Sequence, residues 1–184
     1  KLGKANLSGA QLDKVICENV DAQSAILRDT SLVQANLKNA NLHNVDFRDS
    51  KMRQANLSGA NLSGANLSGV DLSKSNVQGA NLSNGNLENL DLRNSDLRGV
   101  KLSGVDLSQT KIKGALYNLE TQWPEGFDYQ NSGALGPNAN LKGVDLHNMN
   151  LVGADLQGAD LREANLTGAD LSSANLKNAN LHQA

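Results

Sequence analysis

Ala55-Asn56-Leu57-Ser58-Gly59, Ala60-Asn61-Leu62-Ser63-Gly64 and Ala65-Asn66-Leu67-Ser68-Gly69 follow one another without a break. Stepping by five in both directions from Leu62 gives a continuous series of centres from Leu2 to Ile112. A second series, one position out of phase, runs from Leu141 to Leu181. Leucine fills 26 of these 32 centres, too many for chance, so the period of five decides the fold. With the centre called i, position i−2 is Ala, Val, Ser, Thr or Gly in 29 of 31 pentads; Leu90 and Met149 are the exceptions. Position i−1 is Asn or Asp in 24 of 32, and i+2 is Gly or Asn in 20 of 32.

Neither regular element accommodates that period. On an α-helix successive leucines would sit ~140° apart and form no stripe. On a flat strand an odd spacing sends each Leu to the opposite face. The pattern closes only if the chain bends once per pentad in a constant sense. Gly and Asn at i+2 supply the positive φ that such turns demand. Four pentads then make one square coil, and coils stack at ~4.8 Å with backbone hydrogen bonds between them. The i and i−2 side chains face inward. Handedness follows the right-handed rule for parallel crossovers, and about eight coils make a rod roughly 40 Å long.

The runs quoted above, with Ala154-Asp155-Leu156-Gln157-Gly158, resemble the A(D/N)LXX motif of pentapeptide-repeat proteins. The resemblance spans about residues 2–117 and 139–184, and its style looks most like cyanobacterial members. It implies an all-β, right-handed quadrilateral β-helix with one inserted loop, agreeing with the bend argument.

Composition excludes several classes. Aromatic residues make up 3% of the 184, so large rings cannot fill a conventional core. A net charge of −2 gives no overall basic balance for nucleic acid. No apolar run reaches the ~20 residues of a membrane span, so a soluble protein is expected. Its compartment is open: cytoplasm or, if a leader was removed, periplasm or thylakoid lumen. Cys17 is the single cysteine, which excludes an intrachain disulfide. His43, His147 and His182 fall in the outward i+1 column without metal-ligand spacing. The i−1 carboxylates alternate with Asn, which cannot transfer protons, so a backbone-bonding role explains both. A coil filled by its own side chains leaves no axial cavity of ~300 Å³. No catalytic, cofactor or metal residue is therefore expected, and an enzyme is not.

Residues 118–138 divide the chain into a first repeat block, 1–117, and a second, 139–184. This segment holds Trp123, Phe127 and Tyr129 and both prolines, with Tyr117 at its entrance. The rings either pack back on the solenoid or anchor a partner, since Trp and Tyr are favoured interface residues. A second irregularity places Cys17 and Ala22 at centres and Ile16 and Ile26 at i−1. It predicts a bulge or register slip turning the isoleucines inward, with an exposed apolar spot as the alternative. Cys17 reads as a small core hydrophobe.

Sorting every fourth pentad onto one face separates charge. The face of Leu12 through Ile112 carries Lys14, Lys51, Arg53, Lys74, Arg93, Lys111 and Lys113 against Asp13, Asp71 and Asp91. The face behind it carries Asp29, Asp46, Asp49, Glu88 and Asp106 against Arg28 and Arg48. Such polarity either keeps the rod soluble or steers docking, with Lys51, Arg53 and Lys74 as contact residues. The expected function is a non-catalytic scaffold that binds another protein. The family resemblance implies an alternative, inhibition of DNA gyrase by a DNA-like acidic rod, which the basic face disfavours. Both ends lie within the repeat, so end-to-end association or further capping residues are expected.

Overall fold

The computed structural model describes all 184 residues. Almost every i−1 residue pairs in parallel with the residue twenty positions on, as in Asn41 with Asn61 and Asn61 with Asn81. Four ladders of these one-residue bridges, starting at Asn6, Gln11, Ile16 and Asp21, form the four sides of a right-handed quadrilateral β-helix.

One pentad shows why the coil is stable. The Asn61 N–H donates to Ala40 O at 2.9 Å, Leu62 N–H to Asn81 O at 2.7 Å and Gly64 N–H to Ser83 O at 2.9 Å. Ala65 N–H closes the corner on Leu62 O at 3.0 Å. The remaining donor, Ser63 N–H, reaches the Asn61 side-chain Oδ1 at 3.2 Å. Every main-chain donor of the pentad is thus satisfied, as buried backbone requires. The same side-chain bond recurs from Ser58 to Asn56, Ser73 to Asp71 and Ser172 to Asp170. This explains why Asn and Asp interchange at i−1: each supplies one acceptor oxygen across the turn.

The corner residue is left-handed in every regular pentad but one. Twenty non-glycine residues, Lys74 (φ 60) and Glu163 (φ 59) among them, adopt positive φ there. The coil imposes this conformation even on side chains that disfavour it. Glycine is needed for a second reason at Gly64: a Cβ would collide with Oδ1 of Asn44, the corner residue one coil below.

Inside, 44 buried apolar residues make one continuous core along the rod. Hydroxyls at i−2 are accommodated by bonding carbonyls of the previous coil. Ser75 Oγ donates to Met52 O at 2.9 Å and Ser95 Oγ to Leu72 O at 2.7 Å.

The expected slip at Ile16 and Ile26 does not occur. Ile16 pairs in register with Asn36, and Ile26 with both Asn6 and Asp46. Turning the isoleucines inward would break ladder bonds such as Cys17 N–H to Asn36 O at 2.8 Å, which outweigh one buried side chain. Ile16 consequently remains outward and 79% exposed. The small centres Cys17 and Ala22, with Leu2, Leu7 and Leu12, instead border an apolar hollow of about 200 Å³ in the first coils.

Segment 118–138 winds with the rod. Gln122 bridges Lys101 and Leu135 bridges Leu116. Thr121 takes an i−2 place, its hydroxyl donating to Leu97 O at 2.9 Å as the repeat's serines do. The path from centre Tyr117 to centre Leu141 takes 24 residues, one fewer than five regular pentads. That deletion is the phase shift visible in the sequence. Two of its sides are irregular, with a single 3-10 turn at Tyr129–Asn131.

Hydrogen bonding also fails one coil earlier, inside an apparently regular pentad. The ladder from Asn6 ends at Asn86, and no bridge joins Asn86 to Asp106. Gln109, the corner of that pentad, is the one that lacks positive φ. Nearby Leu90 puts a large buried side chain at an i−2 position, while Gly85 leaves the neighbouring i−2 position empty.

Candidate functional site

The three aromatic residues singled out from sequence are brought together around a fourth. Tyr117 occupies a centre, 2% exposed, where the repeat normally has Leu. Its ring meets Trp123 edge-on at 5.4 Å and Tyr129 edge-on at 5.6 Å. Trp123 stacks on Tyr129 at 5.7 Å and lies against Phe127 at 5.4 Å. Edge-to-face and offset contacts of this kind add to simple area burial. The Tyr117 hydroxyl donates to Pro137 O at 2.7 Å, and burial pushes its pKa up from the usual phenolic value.

Room for that ring comes from Gly136, the centre one coil above: any Cβ there would lie 2.6 Å from three Tyr117 ring carbons. Leucine-sized volume has moved from one coil to the next. Trp123, Phe127 and Tyr129 are half-buried and pack against the core, each keeping part of its ring at the surface. The cluster covers the irregular coil and presents an aromatic surface at once.

On the face of the ladder Gln11–Ser31–Lys51–Asp71–Asp91–Lys111, Lys51 is a ladder residue, Arg53 the turn residue two positions on, and Lys74 a corner. Lys51 and Arg53 edge a shallow depression with Asp49, Gln54 and Asp71. Arg53 reaches Asp71 at 3.7 Å, and Arg93 pairs closely with Asp91 at 2.5 Å. Part of the positive charge on this face is therefore neutralised within it, leaving Lys14, Lys51, Lys74, Lys111 and Lys113 without an ion-pair partner. On the adjoining face Asp46 accepts from Arg48 at 2.8 Å and Arg28 at 2.6 Å. The Arg48 bond is the main reason its carboxyl is held down at about 2. Lys51 and the aromatic cluster are three to four coils apart, ~15–20 Å along the axis, and form two separate surfaces.

Sequence reasoning overlooked Tyr117 with Gly136 as a volume exchange, and Thr121, Gln122 and Leu135 as coil residues. The signal was present. Thr121-Gln122-Trp123 reads as small, i−1, centre after a one-residue insertion, and Ala134-Leu135-Gly136-Pro137-Asn138 does so after a net one-residue deletion from Tyr117.

Stacked parallel coils of five-residue sides, each cornered by a left-handed residue, define a repeat protein of the β-solenoid class. The chain belongs to the pentapeptide-repeat family: the family's repeat model matches in eight copies over residues 1–29, 16–54, 40–79, 50–89, 78–114 and 139–178. Similar solved structures include HetL, a protein involved in heterocyst differentiation regulation in the cyanobacterium Nostoc sp. strain PCC 7120. It is 29% identical over 97% of this chain and 87% of that one, with a TM-score of 0.39. Rfr23 from the cyanobacterium Cyanothece 51142 is 26% identical over 64% of this chain and 90% of its own, with a TM-score of 0.43. The full-length plasmid-mediated fluoroquinolone resistance protein QnrB1 is 14% identical over 95% and 93%, with a TM-score of 0.35. The repeat match itself carries the family assignment. No curated protein matches the sequence. No helix is long and apolar enough to cross a membrane.

Proposed function

We propose that the protein is a non-catalytic scaffold that binds another protein along its outer faces. One observation carries this reading: the 44-residue apolar core runs from Ala22 to Ala164 and uses the inward positions, so recognition falls to the faces and the irregular coil. There, side chains recur at a fixed ~4.8 Å rise on a main chain held by 112 backbone hydrogen bonds. A rigid surface loses little conformational entropy when it docks, which favours affinity. The aromatic cluster offers anchors, and the unpaired Lys51 and Lys74 with Arg53 offer charge steering.

Crosslinking in an extract of the native source tests this directly. A partner that binds wild type and is lost from either Trp123→Ser with Phe127→Ser or a Lys51→Glu, Arg53→Glu, Lys74→Glu triple variant supports the reading. Unchanged capture by both variants removes these two surfaces from it. Measurable turnover by the purified rod would overturn the non-catalytic assignment. Gyrase supercoiling in the presence of the protein is expected to stay unchanged, because the face bearing Lys51, Lys74 and Lys111 departs from a DNA-like acidic surface.

A further inference from the structure

Main-chain pairing around residues 104–112 is broken on both sides: the Leu107, Gln109 and Ile112 N–H groups find no acceptor in the irregular coil above, and the side below, between Asn86 and Asp106, is open as well. By the register of neighbouring coils, Leu87 N–H should donate to Asp106 O, Asn89 N–H to Ser108 O, and Asp106 N–H to Gly85 O. None of these bonds forms, and none of the three donors finds another acceptor within the protein. The same bonds in the preceding coil are intact: Leu67 N–H to Asn86 O at 2.8 Å, Gly69 N–H to Glu88 O at 2.9 Å and Asn86 N–H to Ala65 O at 3.0 Å. Between the parted lips lies a cleft of about 340 Å³ lined by Gly85, Asn86, Leu87, Glu88, Asp106 and Ser108, with Gln109 at its corner. That volume is at the lower end of what holds a small ligand.

The lower lip presents the Gly85 carbonyl and the Leu87 and Asn89 N–H groups, and the upper lip the Asp106 N–H with the Asp106 and Ser108 carbonyls, so each edge offers both donors and acceptors. Their natural complement is another extended main chain. Charge narrows the choice of chain. Glu88 and Asp106 flank the cleft, and neither has an ion-pair partner. The Asp106 carboxylate accepts from Ser108, whose N–H lies 2.8 Å away, and from no cation. On the same face the two arginines, Arg28 and Arg48, are both engaged by Asp46, so no cation competes for the acidic pair.

We infer that this cleft receives a short extended segment of a partner protein bearing Lys or Arg, held by main-chain hydrogen bonds to the Leu87–Asn89 and Asp106–Ser108 edges and by Glu88 and Asp106. The inference rests on the scaffold reading and adds a docking point and a partner chemistry to it.

Amide spectra of the intact protein test it with an end-blocked Lys-Thr-Lys-Val-Lys peptide as probe. Without peptide, the Leu87 and Asn89 amides should exchange with solvent far faster than Leu62 and Gly64, which hold the equivalent positions in an unbroken ladder. Adding peptide should shift Leu87, Asn89 and Asp106 selectively. N-methylating alternate residues of the probe should weaken binding by about tenfold or more, because it removes the main-chain donors. Glu88→Gln with Asp106→Asn keeps the Ser108 acceptor and should weaken the unmethylated probe by about three- to tenfold. Protection of Leu87 and Asn89 equal to that of Leu62 overturns the inference. So does equal binding of the methylated peptide, or shifts centred on another face. A partner that crosslinks elsewhere on the rod while the cleft ignores the peptide sinks this inference alone and leaves the scaffold reading standing.

Discussion

The coils around Leu57, Leu62 and Leu67 and the coil between Tyr117 and Leu141 solve one problem in two ways. In the first region each centre is a leucine, each i−2 a small residue, and volume is balanced within every coil. In the second, Tyr117 overfills its coil and Gly136 vacates the one above, while Trp123, Phe127 and Tyr129 close the side that no regular pentad covers. Regular coils repeat one arrangement every twenty residues, whereas the irregular coil depends on a single unequal pair, Tyr117 and Gly136, nineteen positions apart. The second solution frees side chains to vary, and that is where the proposed aromatic docking surface lies.

Emptying each region in turn should cost the most stability. Leu62→Ala is expected to cost about 2–4 kcal/mol and Tyr117→Ala about 3–5 kcal/mol, read by chemical denaturation. A loss below about 1 kcal/mol at Tyr117 would mean that the irregular coil is an appendage and not a layer of the core. Next in size is the volume exchange. Gly136→Leu should destabilise by about 2–3 kcal/mol through overpacking. Combined with Tyr117→Leu it should cost measurably less than the two single effects summed, since the pair is in contact.

Gly64→Ala probes the regular corner. Positive φ and the Asn44 side chain below both oppose the new methyl, so about 1–2 kcal/mol should be lost. Adding Asn44→Gly should restore part of it. Asn61→Ala removes the acceptor of Ser63 N–H and should cost about 0.5–1.5 kcal/mol, visible as a lower midpoint at unchanged slope. The smallest effect concerns Asp46. Its carboxyl sits at about 2 in the fold against the usual ~3.9, so its stabilisation is complete above about pH 4 and disappears as pH falls toward 2. Arg48→Met should raise that pKa and flatten the stability profile between pH 4 and 2, as read by carboxyl titration and acid denaturation.

The contrast also separates what was legible beforehand. The quadrilateral coil, the inward leucines and the interchangeable Asn and Asp at i−1 follow from short-range constraints, each enclosed in five residues and repeated until it was unmistakable. The bulge expected at Ile16 and Ile26 failed because hydropathy favoured inward isoleucines, while the ladder bonds formed with residues twenty positions away held them outward. The Asn86–Asp106 gap was invisible for a similar reason. Asp106-Leu107-Ser108-Gln109-Thr110 reads as an ordinary pentad, and only its relation to Leu90 and Gly85 in the coil below sets it apart.

By itself, then, the amino-acid order determined the winding, the filling of the axis and which residues face out, because a period of five admits one geometry. The tertiary structure alone decided that residues 118–138 form a coil, that four rings share one cluster, and that one ladder opens. Those outcomes depend on contacts between coils, where the free energy of a side chain is set by whatever the chain happens to place above and below it.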